Sequence, residues 1–452
     1  MSYWSSQVTS ATLVERMPDW LASLRHGNYW LTQADIPRGT EGPPCQTVDV
    51  AVIGAGFAGL AAALELAKCG VRTVVLESET VGWGASCRNG GMVLTGLKLS
   101  AEYLVARYGI ELAKCMYSTS LAAIDRVEDI VREERIDCDF HRYGHVEVAS
   151  KKSHFASYAH SVEFIARHFQ HTVRIVPPHE LAQEVGSEIY HGGMVDEASA
   201  GLQPARYVAG LATAVRNAGA TIHERCPVEL LERASLHGEA GFALFTPQGK
   251  VFAREVFVAT GAYGYSLVPA MRKKVIPIGS FIIATEPLSE ALSKQLSPRN
   301  RMIYDSRHYL HYFRLTSDNR MLFGGRAAFL PETPSRVRRS ATILRRDMVE
   351  IFPQLRQVSV EYIWGGTLDF CFDTMPHAGK VAGVYYAIGF AGHGVAMATY
   401  LGTQIARNIA GKDGQQPFDK IPFPNAPVGL RGGRPWLLPL AGGFYKVLDW
   451  IN

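Results

Sequence analysis

The chain has 452 residues, 47% of them hydrophobic and 19% charged, a composition typical of a globular protein large enough for two domains. Its formal net charge of +4 is dispersed, and no basic stripe with interleaved aromatic side chains occurs, so nucleic acid is not an expected partner. The 7 cysteines are scattered without a CxxC spacing, which argues against a disulfide framework and a metal site and favours a reducing cytoplasm.

The N-terminal part of the chain predicts an arm followed by a β-α-β unit. Residues 1–46 carry aromatic anchors and end in a Pro/Gly-rich linker. A buried parallel strand is expected at 48–53, a turn at 54–59, a helix at 60–69 and a second strand at 71–77. The apolar stretch 48–67 contains Asp49, Glu65 and patterned glycines, so it predicts no transmembrane segment.

The remainder of the chain mixes helices and strands. Helices are predicted at about 100–135, 154–168, 203–218, 340–352 and 395–409. Strands are predicted at 144–149, 221–231, 255–261 and 384–388, in a hairpin at 243–245 and 251–252, and in an aromatic-rich region at 275–330. The Pro/Gly-rich tail after Lys412 is expected to be irregular until an apolar piece at 436–451.

The turn at 54–59 reads Gly-Ala-Gly-Phe-Ala-Gly and matches the GxGxxG pattern of dinucleotide-binding turns. Gly54 permits the tight turn, Gly56 lets the backbone approach a pyrophosphate, and Gly59 lets helix and strand pack closely. Phe57 and Ala58 lie between these glycines, where the helix directs its amides at the phosphates. The alternative is a glycine-rich turn in an unrelated α/β protein.

Glu77 ends the second predicted strand, eighteen residues after the last glycine of the turn, and Ser78 follows it. A carboxylate at this place can accept hydrogen bonds from both hydroxyls of an adenosine ribose. Its charge would repel the ribose phosphate of NADP, but it does not separate NAD from FAD.

The loop at 82–91 reads Gly-Trp-Gly-Ala-Ser-Cys-Arg-Asn-Gly-Gly. It resembles the glycine-alanine-serine stretch of the D-amino-acid oxidase, glycine oxidase and sarcosine oxidase superfamily, and most closely that of its gamma-glutamylputrescine oxidase branch. The resemblance implies FAD as the cofactor. It places Gly84, Ala85 and Ser86 beside the pyrophosphate, and a second group near the flavin ring, namely Arg88, Asn89, Gly90, Gly91 and Met92.

Further stretches resemble the same superfamily in the same order along the chain. The resemblance puts Val228 beside the adenine and makes Thr260, Gly261 and Gly366 flavin contacts. It also identifies 389–394 as a C-terminal flavin loop, with Gly389, Gly392, His393, Gly394 and Val395 as contacts. The residues support this loop independently, because it precedes a helix whose N-terminal dipole would stabilise negative charge on a reduced flavin.

The resemblance implies an α/β fold in which a Rossmann-type FAD-binding domain is interleaved with an α+β substrate domain built on an antiparallel sheet. The FAD-binding domain is expected at 47–140, 196–265 and 362–412, and the substrate domain at 141–195 and 266–361. Residues 1–46 and 413–452 would form an N-terminal arm and a C-terminal tail.

The resemblance also implies the chemistry, which is oxidation of a small-molecule amine. A hydride passes from the carbon next to nitrogen to flavin N5, and water hydrolyses the resulting imine. The amine must be neutral, so the site is expected to lower its pKa by desolvation. No Ser/His/Asp set, paired carboxylates or metal-ligand spacing points to another mechanism.

Four residues are candidates for substrate or catalytic contacts. A predicted strand at 309–314 would place Tyr312 and Arg314 on one face, to stack on an alkyl chain and pair with a carboxylate. Arg326 is a second carboxylate candidate, and His393 could lie near the flavin ring. For each, a purely structural role is as plausible.

Two departures from the family leave the electron acceptor and the flavin linkage open. Sarcosine oxidase relatives carry a lysine for reaction with oxygen where this chain has the apolar residues 321–323. Oxygen is therefore in doubt, and a quinone or carrier protein is an alternative acceptor. Cys371 lies near, but out of register with, the cysteine that binds flavin covalently in some relatives.

Two other readings remain open. One is an amino-acid dehydrogenase that feeds a membrane quinone, with 436–440 as a surface contact. The other is a flavin-binding subunit of a larger complex. A monomer and a homo-oligomer are both compatible with the sequence.

Overall fold

The structure is a computed structural model that describes residues 20, 24–40, 42–264, 267–328 and 333–430, with the backbone alone for 326–328. The predicted contacts of Arg326 and of the tail segment 436–440 therefore lie outside the described residues.

The helices and strands are numbered here in chain order. The strands are β1 (Arg25–His26), β2 (Thr47–Ile53), β3 (Thr73–Leu76), β4 (Met92–Val93), β5 (His145–Val148), β6 (Arg174–Val176), β7 (Gly193–Asp196), β8 (Ala200–Gly201), β9 (Thr221–His223), β10 (Leu230–Leu236), β11 (Glu239–Thr246), β12 (Gly249–Val258), β13 (Val275–Thr285), β14 (Met302–Asp305), β15 (Tyr312–Leu315), β16 (Met321–Ala328), β17 (Val360–Cys371), β18 (His377–Val381) and β19 (Val384–Ile388). The helices are α1 (Phe57–Lys68), α2 (Ala101–Tyr108), α3 (Ile110–Glu133), α4 (Lys152–Phe169), α5 (Pro204–Asn217), α6 (Pro269–Arg272), α7 (Glu290–Leu296), α8 (Pro334–Ile351) and α9 (Gly394–Ile409).

A parallel sheet forms the centre of the first half of the fold. Strands β12, β2, β3 and β9 pair in parallel in that order, and β19 pairs in parallel with the end of β12. Residues 50–53 of β2 are buried, as expected for a strand covered on both faces. The alanine-rich helix α1 follows β2 and packs against α9 so closely that a Cβ at Gly402 would collide with the backbone of Ala58.

A nine-stranded sheet forms the second half, in the order β1-β17-β13-β16-β15-β14-β5-β7-β6. It is mostly antiparallel, but β14 pairs with β5 and β1 with β17 in parallel. One face packs on α8 in a core that includes Val146, Phe313 and Leu344. Because side chains alternate along a strand, the opposite face presents His145 and Glu147 of β5 and Tyr312 of β15. The mixed α/β architecture confirms the predicted fold class.

Most predicted elements occur, and the differences have clear causes. The helix α1 begins at Phe57 because Gly56 already serves as its N-cap. The predicted hairpin arm at 251–252 and the strand at 255–261 are one strand, β12, which pairs with β11 in its first part and with β2 along most of its length. The predicted domain boundary at 362 falls inside β17 of the nine-stranded sheet, and the division into domains stays a prediction.

The predicted strand at 309–314 is shorter than expected, because β15 begins at Tyr312. His311 lies before it and is held between two carboxylates, Asp305 Oδ2 at 3.0 Å and Asp347 Oδ2 at 3.3 Å. Burial alone would lower the pKa of His311, but the hydrogen bonds and charges of Asp305 and Asp347 outweigh it and raise the pKa to about 9.

The described part of the N-terminal arm is built into the fold. Strand β1 pairs with β17, and the following turn buries Tyr29 and Trp30. The Tyr29 hydroxyl donates to Asp318 at 2.6 Å. The segment 24–33 therefore links the N-terminus to the nine-stranded sheet. Within the residues described, no helix combines the length and apolarity needed to cross a membrane.

Arg301, just before β14, pairs with Glu184 in the segment before β7 and with Glu197 in the segment after it. Replacing Arg301 tests how much these ion pairs stabilise the fold. Its Nε donates to Glu184 at 2.5 Å, and its Nη1 and Nη2 donate to Glu197 at 2.6 and 2.7 Å. Arg301→Met removes the partner of Glu184 Oε2, while Arg174 still pairs with Oε1 at 2.6 Å, so we expect a loss of about 1–3 kcal/mol in the free energy of unfolding. Arg254→Met, which removes an exposed pair with Glu239, should cost less than about 1 kcal/mol. Equal urea-unfolding curves for the two variants would contradict this prediction.

The His311 cluster predicts a pH dependence of stability. Its pKa of about 9 lies above the ordinary value of 6.5, so the folded state binds the proton more tightly. The stabilisation is fully present below about pH 6.5 and is lost as the pH rises through 9. His311→Gln should therefore lower the melting temperature most at pH 6 and progressively less towards pH 10. A melting-temperature difference that stays constant over this range would rule out a charged His311.

Candidate functional site

The glycine turn after β2 is built as its pattern requires. Gly54 has φ of +106°, and a Cβ there would lie 2.7 Å from the carbonyl oxygen of Ala259. A Cβ at Gly59 would collide with the carbonyl oxygen of Gly54, so this glycine allows α1 to pack against the turn. A Cβ at Gly56 would lie 2.7 Å from Ser86 Oγ, which brings the second predicted phosphate contact to the first.

The N-terminus of α1 presents its amides where the two loops meet. The first helical amide, Phe57 N, donates to Ser86 Oγ at 2.9 Å, and Gly56 contributes no side chain. Ala58 follows in the first turn and is buried. The positive end of the helix dipole and the absence of a side chain at Gly56 fit the predicted pyrophosphate contact, which stays a prediction.

Glu77 lies at the end of β3, beside the turn. Its Oε2 accepts from Ala55 N at 2.7 Å, and its Oε1 accepts from Glu79 N at 3.0 Å and from Ser78 Oγ at 3.2 Å. Burial raises the pKa of Glu77, while these hydrogen bonds oppose the shift. The segment that leads to Val228 runs alongside, because Cys226 N donates to Glu77 O.

The loop at 84–91 is held by side chains from distant parts of the chain. Its 3₁₀ turn spans Ala85–Cys87, and Gly84 caps it. Four of its carbonyl oxygens accept side-chain hydrogen bonds, Cys87 O from Asn28 at 2.6 Å, Arg88 O from Trp364 at 3.2 Å, Asn89 O from Trp30 at 2.8 Å and Gly91 O from Arg314 at 2.9 Å. These bonds fix the course of the loop before any ligand binds.

The side chains of the loop also stabilise its shape. Asn89 Nδ2 donates to Ala85 O and Ser86 O, and its Oδ1 accepts from Gly91 N at 2.8 Å. Arg88 Nε donates to Trp83 O, and its Nη1 donates to Gly365 O at 3.1 Å. A Cβ at Gly366 would lie 3.0 Å from Arg88 Cβ, so β17 runs directly beside the loop. Met92 begins β4, which pairs with β8.

A second turn, at the end of β12, lies against the glycine turn. Ala259 N donates to Ile53 O at 2.9 Å, and Tyr263 N donates to Thr260 O at 3.0 Å. Gly261 has φ of +51° and open space around it. Since β2 and β12 are parallel neighbours, Thr260 and Gly261 lie at the same edge of the sheet as Gly54.

The loop at 389–394 leads into α9 and is shaped by a buried carboxylate. Asp369 Oδ2 accepts from Gly389 N at 2.7 Å, and Ala391 N donates to Asp369 O at 3.1 Å. Burial raises the pKa of Asp369 to about 6, although its backbone hydrogen bonds oppose the shift. Gly389 and Gly392 have φ of +85° and +96°, values that favour glycine.

His393 is the N-cap residue of α9, and Gly394 and Val395 begin the helix. Its Nδ1 is buried and finds no hydrogen-bond partner among the described residues. Burial lowers the pKa of His393 to about 4, and the positive charge of Lys98 adds to the shift, so the imidazole is neutral at pH 7. An unsatisfied polar atom at a helix N-terminus fits a bound group that supplies the missing partner.

Tyr312 packs its ring between the nine-stranded sheet and the loop. A Cβ at Gly90 would lie 3.1 Å from the ring, and a Cβ at Gly324 would overlap it. The Tyr312 hydroxyl lies 3.4 Å from Ser280 Oγ. Burial raises the pKa of Tyr312 to about 12, so the phenol is neutral. It lies next to the predicted flavin-contacting glycine.

Arg314 lies deeper than its sequence pattern suggests. Its Nη1 donates to Gly91 O at 2.9 Å and to Leu202 O at 3.0 Å, and its Nε donates to Leu315 O at 3.1 Å. Burial lowers the pKa of Arg314 to about 10, which leaves it charged at pH 7. It fixes the loop through the main chain, and its binding of a substrate carboxylate stays a prediction.

Several polar residues on the face of the nine-stranded sheet that carries Tyr312 belong to no sequence motif, and they were not predicted as site residues. Glu147 and His145 point from β5 to the same face as Tyr304 of β14. The Tyr158 hydroxyl donates to Glu147 at 3.2 Å, and Tyr304 stacks on His145 with ring centroids 5.4 Å apart. Lys98 lies in the irregular segment between β4 and α2. Only the alternation of β5, once its buried face is known, would have identified Glu147.

Cys371 and residues 321–323, which bear on the flavin linkage and on the electron acceptor, are both buried. Cys371 ends β17 and packs against Gly389, and burial raises the pKa of its thiol well above the ordinary value. Met321, Leu322 and Phe323 are buried in β16. Within the described residues no group of three or more His, Cys, Asp or Glu could hold a metal ion.

Comparison with known proteins matches this arrangement to one family. The family model described as FAD dependent oxidoreductase matches residues 49–408. The chain is 32% identical over 409 residues to the probable oxidoreductase OrdL of Haemophilus influenzae, covering 89% of this chain and 92% of that protein. It is 31% identical over 409 residues to the gamma-glutamylputrescine oxidoreductase of Escherichia coli, covering 89% and 93%.

The same fold occurs in solved structures of lower sequence identity. The crystal structure of glycine oxidase from Geobacillus kaustophilus superposes with a TM-score of 0.71 at 21% identity, covering 84% of this chain and 99% of that chain. The predicted resemblance and the predicted fold class are thus confirmed.

Gly59 tests the glycine turn directly. Gly59→Ala should displace α1 from Gly54 and weaken FAD binding by roughly 10- to 100-fold, since overpacking against backbone cannot relax cheaply. The 450 nm absorbance of purified protein after desalting measures the retained flavin. Gly27→Ala is the matched control, because a Cβ there would meet nothing within 4 Å. Equal flavin content in both variants would show that Gly59 is not needed for the cradle.

Proposed function

Because the chain belongs to the FAD-dependent oxidoreductase family and binds FAD, we propose that it oxidises the C–N bond of an amine, with a gamma-glutamylputrescine-like amine as substrate. The observation that carries the proposal is the meeting of the glycine turn, the loop at 84–91 and the surface of the nine-stranded sheet around Tyr312. The relative named gamma-glutamylputrescine oxidoreductase supports the substrate class. Other N-substituted amines and amino acids remain within the same proposal.

The residues divide into a cofactor cradle and a substrate side. Ser86, the amides of α1 and Glu77 would hold the adenosine and pyrophosphate groups, and the loops at 84–91 and 389–394 would hold the flavin. When bound, FAD supplies a two-electron acceptor for the hydride that leaves the carbon next to nitrogen. Tyr312, beside Gly90, would pack on the substrate chain, and His393 would contribute a neutral imidazole near the ring.

The enclosed environment favours the reactive form of the amine. An ammonium cannot release the hydride, so the site must favour the neutral amine over its protonated form. Burial lowers the pKa of His393 to about 4, which supports a site that disfavours positive charge beside the predicted flavin loop. The same desolvation would lower the pKa of a bound amine without a dedicated general base.

We propose O₂ as the electron acceptor. The balanced reaction converts the amine, O₂ and water into an aldehyde or keto acid, ammonia or a smaller amine, and H₂O₂. The second candidate is a dehydrogenase that passes electrons to a quinone or carrier, and the buried apolar residues 321–323 favour it because they supply no cation for oxygen reduction. A flavin-binding subunit of a larger complex is the third. We place the protein in the cytoplasm, as a monomer or homo-oligomer.

Anaerobic mixing of the yellow protein with a panel of amines tests this proposal. The panel contains gamma-glutamylated amines, polyamines, N-methyl amino acids and D-amino acids. We expect gamma-glutamylputrescine to bleach the 450 nm band, and air to restore it within seconds with stoichiometric H₂O₂.

The other outcomes separate the alternatives. Bleaching with slow recovery in air would identify a dehydrogenase, and bleaching by another class would change the substrate. If no amine reduces a protein that contains FAD, the amine-oxidation proposal is wrong.

A further inference from the structure

Two oppositely charged side chains near the predicted flavin loops have no charged partner. Neither Lys98 nor Glu147 takes part in an ion pair within the described part of the chain, and they do not contact each other. Glu147 is half-buried and Lys98 is exposed, and a half-buried carboxylate without a cationic partner is costly to desolvate. A ligand that places a cation at Glu147 and an anion at Lys98 would supply the partners that the described residues do not.

Glu147 is oriented by strand β5. Its register partners are Tyr304 on β14 and Met194 on β7, and Val146 and Val148 on either side point into the opposite core. The Tyr158 hydroxyl donates to its Oε1 at 3.2 Å. Glu147 thus lies on the sheet face that also carries Tyr312, where the alternation of β5 holds it.

Lys98 is oriented by the segment between β4 and α2. Three residues earlier, Thr95 Oγ1 donates to Asp196 Oδ2 at 2.7 Å and Thr95 N donates to Ser199 Oγ at 3.0 Å. Asp196 is the register partner of His145, two residues from Glu147 on β5. These hydrogen bonds therefore hold the segment that carries Lys98 against the strands β5 and β7 of the nine-stranded sheet.

The charge of Lys98 interacts with that of Glu147. The side chain is accessible to solvent, yet the surrounding protein lowers the pKa of its ammonium by burial, and the charge of Glu147 partly opposes this shift. Burial raises the pKa of Glu147, while the Tyr158 hydrogen bond and the charge of Lys98 lower it. The charge of Lys98 also reaches His393, which connects this pair with the loop at 389–394.

We propose that Lys98 binds the carboxylate, and Glu147 the ammonium, of an α-amino-acid head group carried by the amine substrate. The inference rests on the proposed amine oxidation and names the part of the substrate that is recognised. A carboxylate and an ammonium on one carbon match two separated opposite charges, and a glutamyl group linked through its side-chain amide leaves both free. An unsubstituted diamine offers no partner for Lys98.

The test compares gamma-glutamylputrescine with two analogues, each of which lacks one of its two head-group charges. Gamma-glutamylputrescine carries both charges of the head group, 4-aminobutanoylputrescine lacks its carboxylate, and glutarylputrescine lacks its ammonium. Stopped-flow reduction of the FAD-containing protein without oxygen gives the Kd and the limiting rate for each. In the wild type, removal of either charge should raise Kd by about 10- to 100-fold, which is the usual worth of a charge-assisted hydrogen bond.

Two variants assign the charges to residues. Lys98→Met should raise the Kd of gamma-glutamylputrescine by the same factor of about 10- to 100-fold. The variant should then bind gamma-glutamylputrescine no more tightly than 4-aminobutanoylputrescine. Glu147→Gln should remove the preference over glutarylputrescine. Limiting rates should change by less than about threefold, since the head group is remote from the reacting carbon. Lys98→Arg should retain the carboxylate preference, and Lys420→Met, an exposed lysine, is the matched control.

The outcomes distinguish a failure of this inference from a failure of the proposed amine oxidation. Equal Kd values for the three substrates in the wild type overturn the inference without any variant, and leave amine oxidation intact. A preference that survives Lys98→Met and Glu147→Gln also overturns it. If only D-amino acids or N-methyl amino acids reduce the flavin, the head group itself carries the reacting carbon, and the inference is overturned while amine oxidation stands. If no amine reduces the wild type, the proposed function and the inference fail together.

Discussion

The arrangement of the site depends on the hydrogen bonds that hold the loop at 84–91. Its carbonyl oxygens at 87, 88, 89 and 91 accept from Asn28, Trp364, Trp30 and Arg314. Each buried donor would cost free energy if left unpaired, so these bonds fix the loop and the donors together. The loop is therefore the element through which the parallel sheet, the nine-stranded sheet and the N-terminal segment are joined.

The space for a cofactor comes from close approaches of backbone that only glycine allows. Gly59 lies against Gly54, Gly54 against Ala259, and Gly56 against Ser86. Three of the titratable side chains near the predicted flavin loops are neutral at pH 7. Burial lowers the pKa of His145 and His393 to about 4 and raises that of Tyr312 to about 12. Arg314 is charged but donates to the main-chain carbonyls of Gly91 and Leu202, whereas Lys98 and Glu147 have no ion-pair partner among the described residues.

The parts of the fold that were predictable are local in sequence. The β2–α1–β3 unit lies in one short segment, so the glycine pattern, the alanine-rich helix and Glu77 could be read together. The helix α9 was predictable from its glycine loop for the same reason. Thr260 and Gly261 lie beside the first turn because β2 and β12 pair in parallel, and their predicted flavin contacts stay a prediction.

Tertiary contacts explain what was missed. Arg314 has the spacing of a side chain on an open strand face, but its burial under Gly91 and Leu202 depends on residues far away in sequence. His311 interrupts the predicted strand because Asp305 and Asp347 hold it. Lys98 lies in an irregular segment without periodicity, and the face of Glu147 is defined only when β5 pairs with β14 and β7. The arm at 1–46 gave no sign that Trp30 would bind the loop.

The loop contacts also set an order of events during folding. Asn28 and Trp30 are each separated from their loop acceptors by 59 residues, Arg314 by 223 and Trp364 by 276. Contacts between residues this far apart in sequence form slowly, because the entropy of closing a large loop is lost before the contact contributes any energy. On the ribosome, Trp364 is the last of these donors to be synthesised. The loop contacts are therefore complete only after Trp364 has been synthesised and β17 has formed, so cofactor capture reports that this part of the nine-stranded sheet has folded.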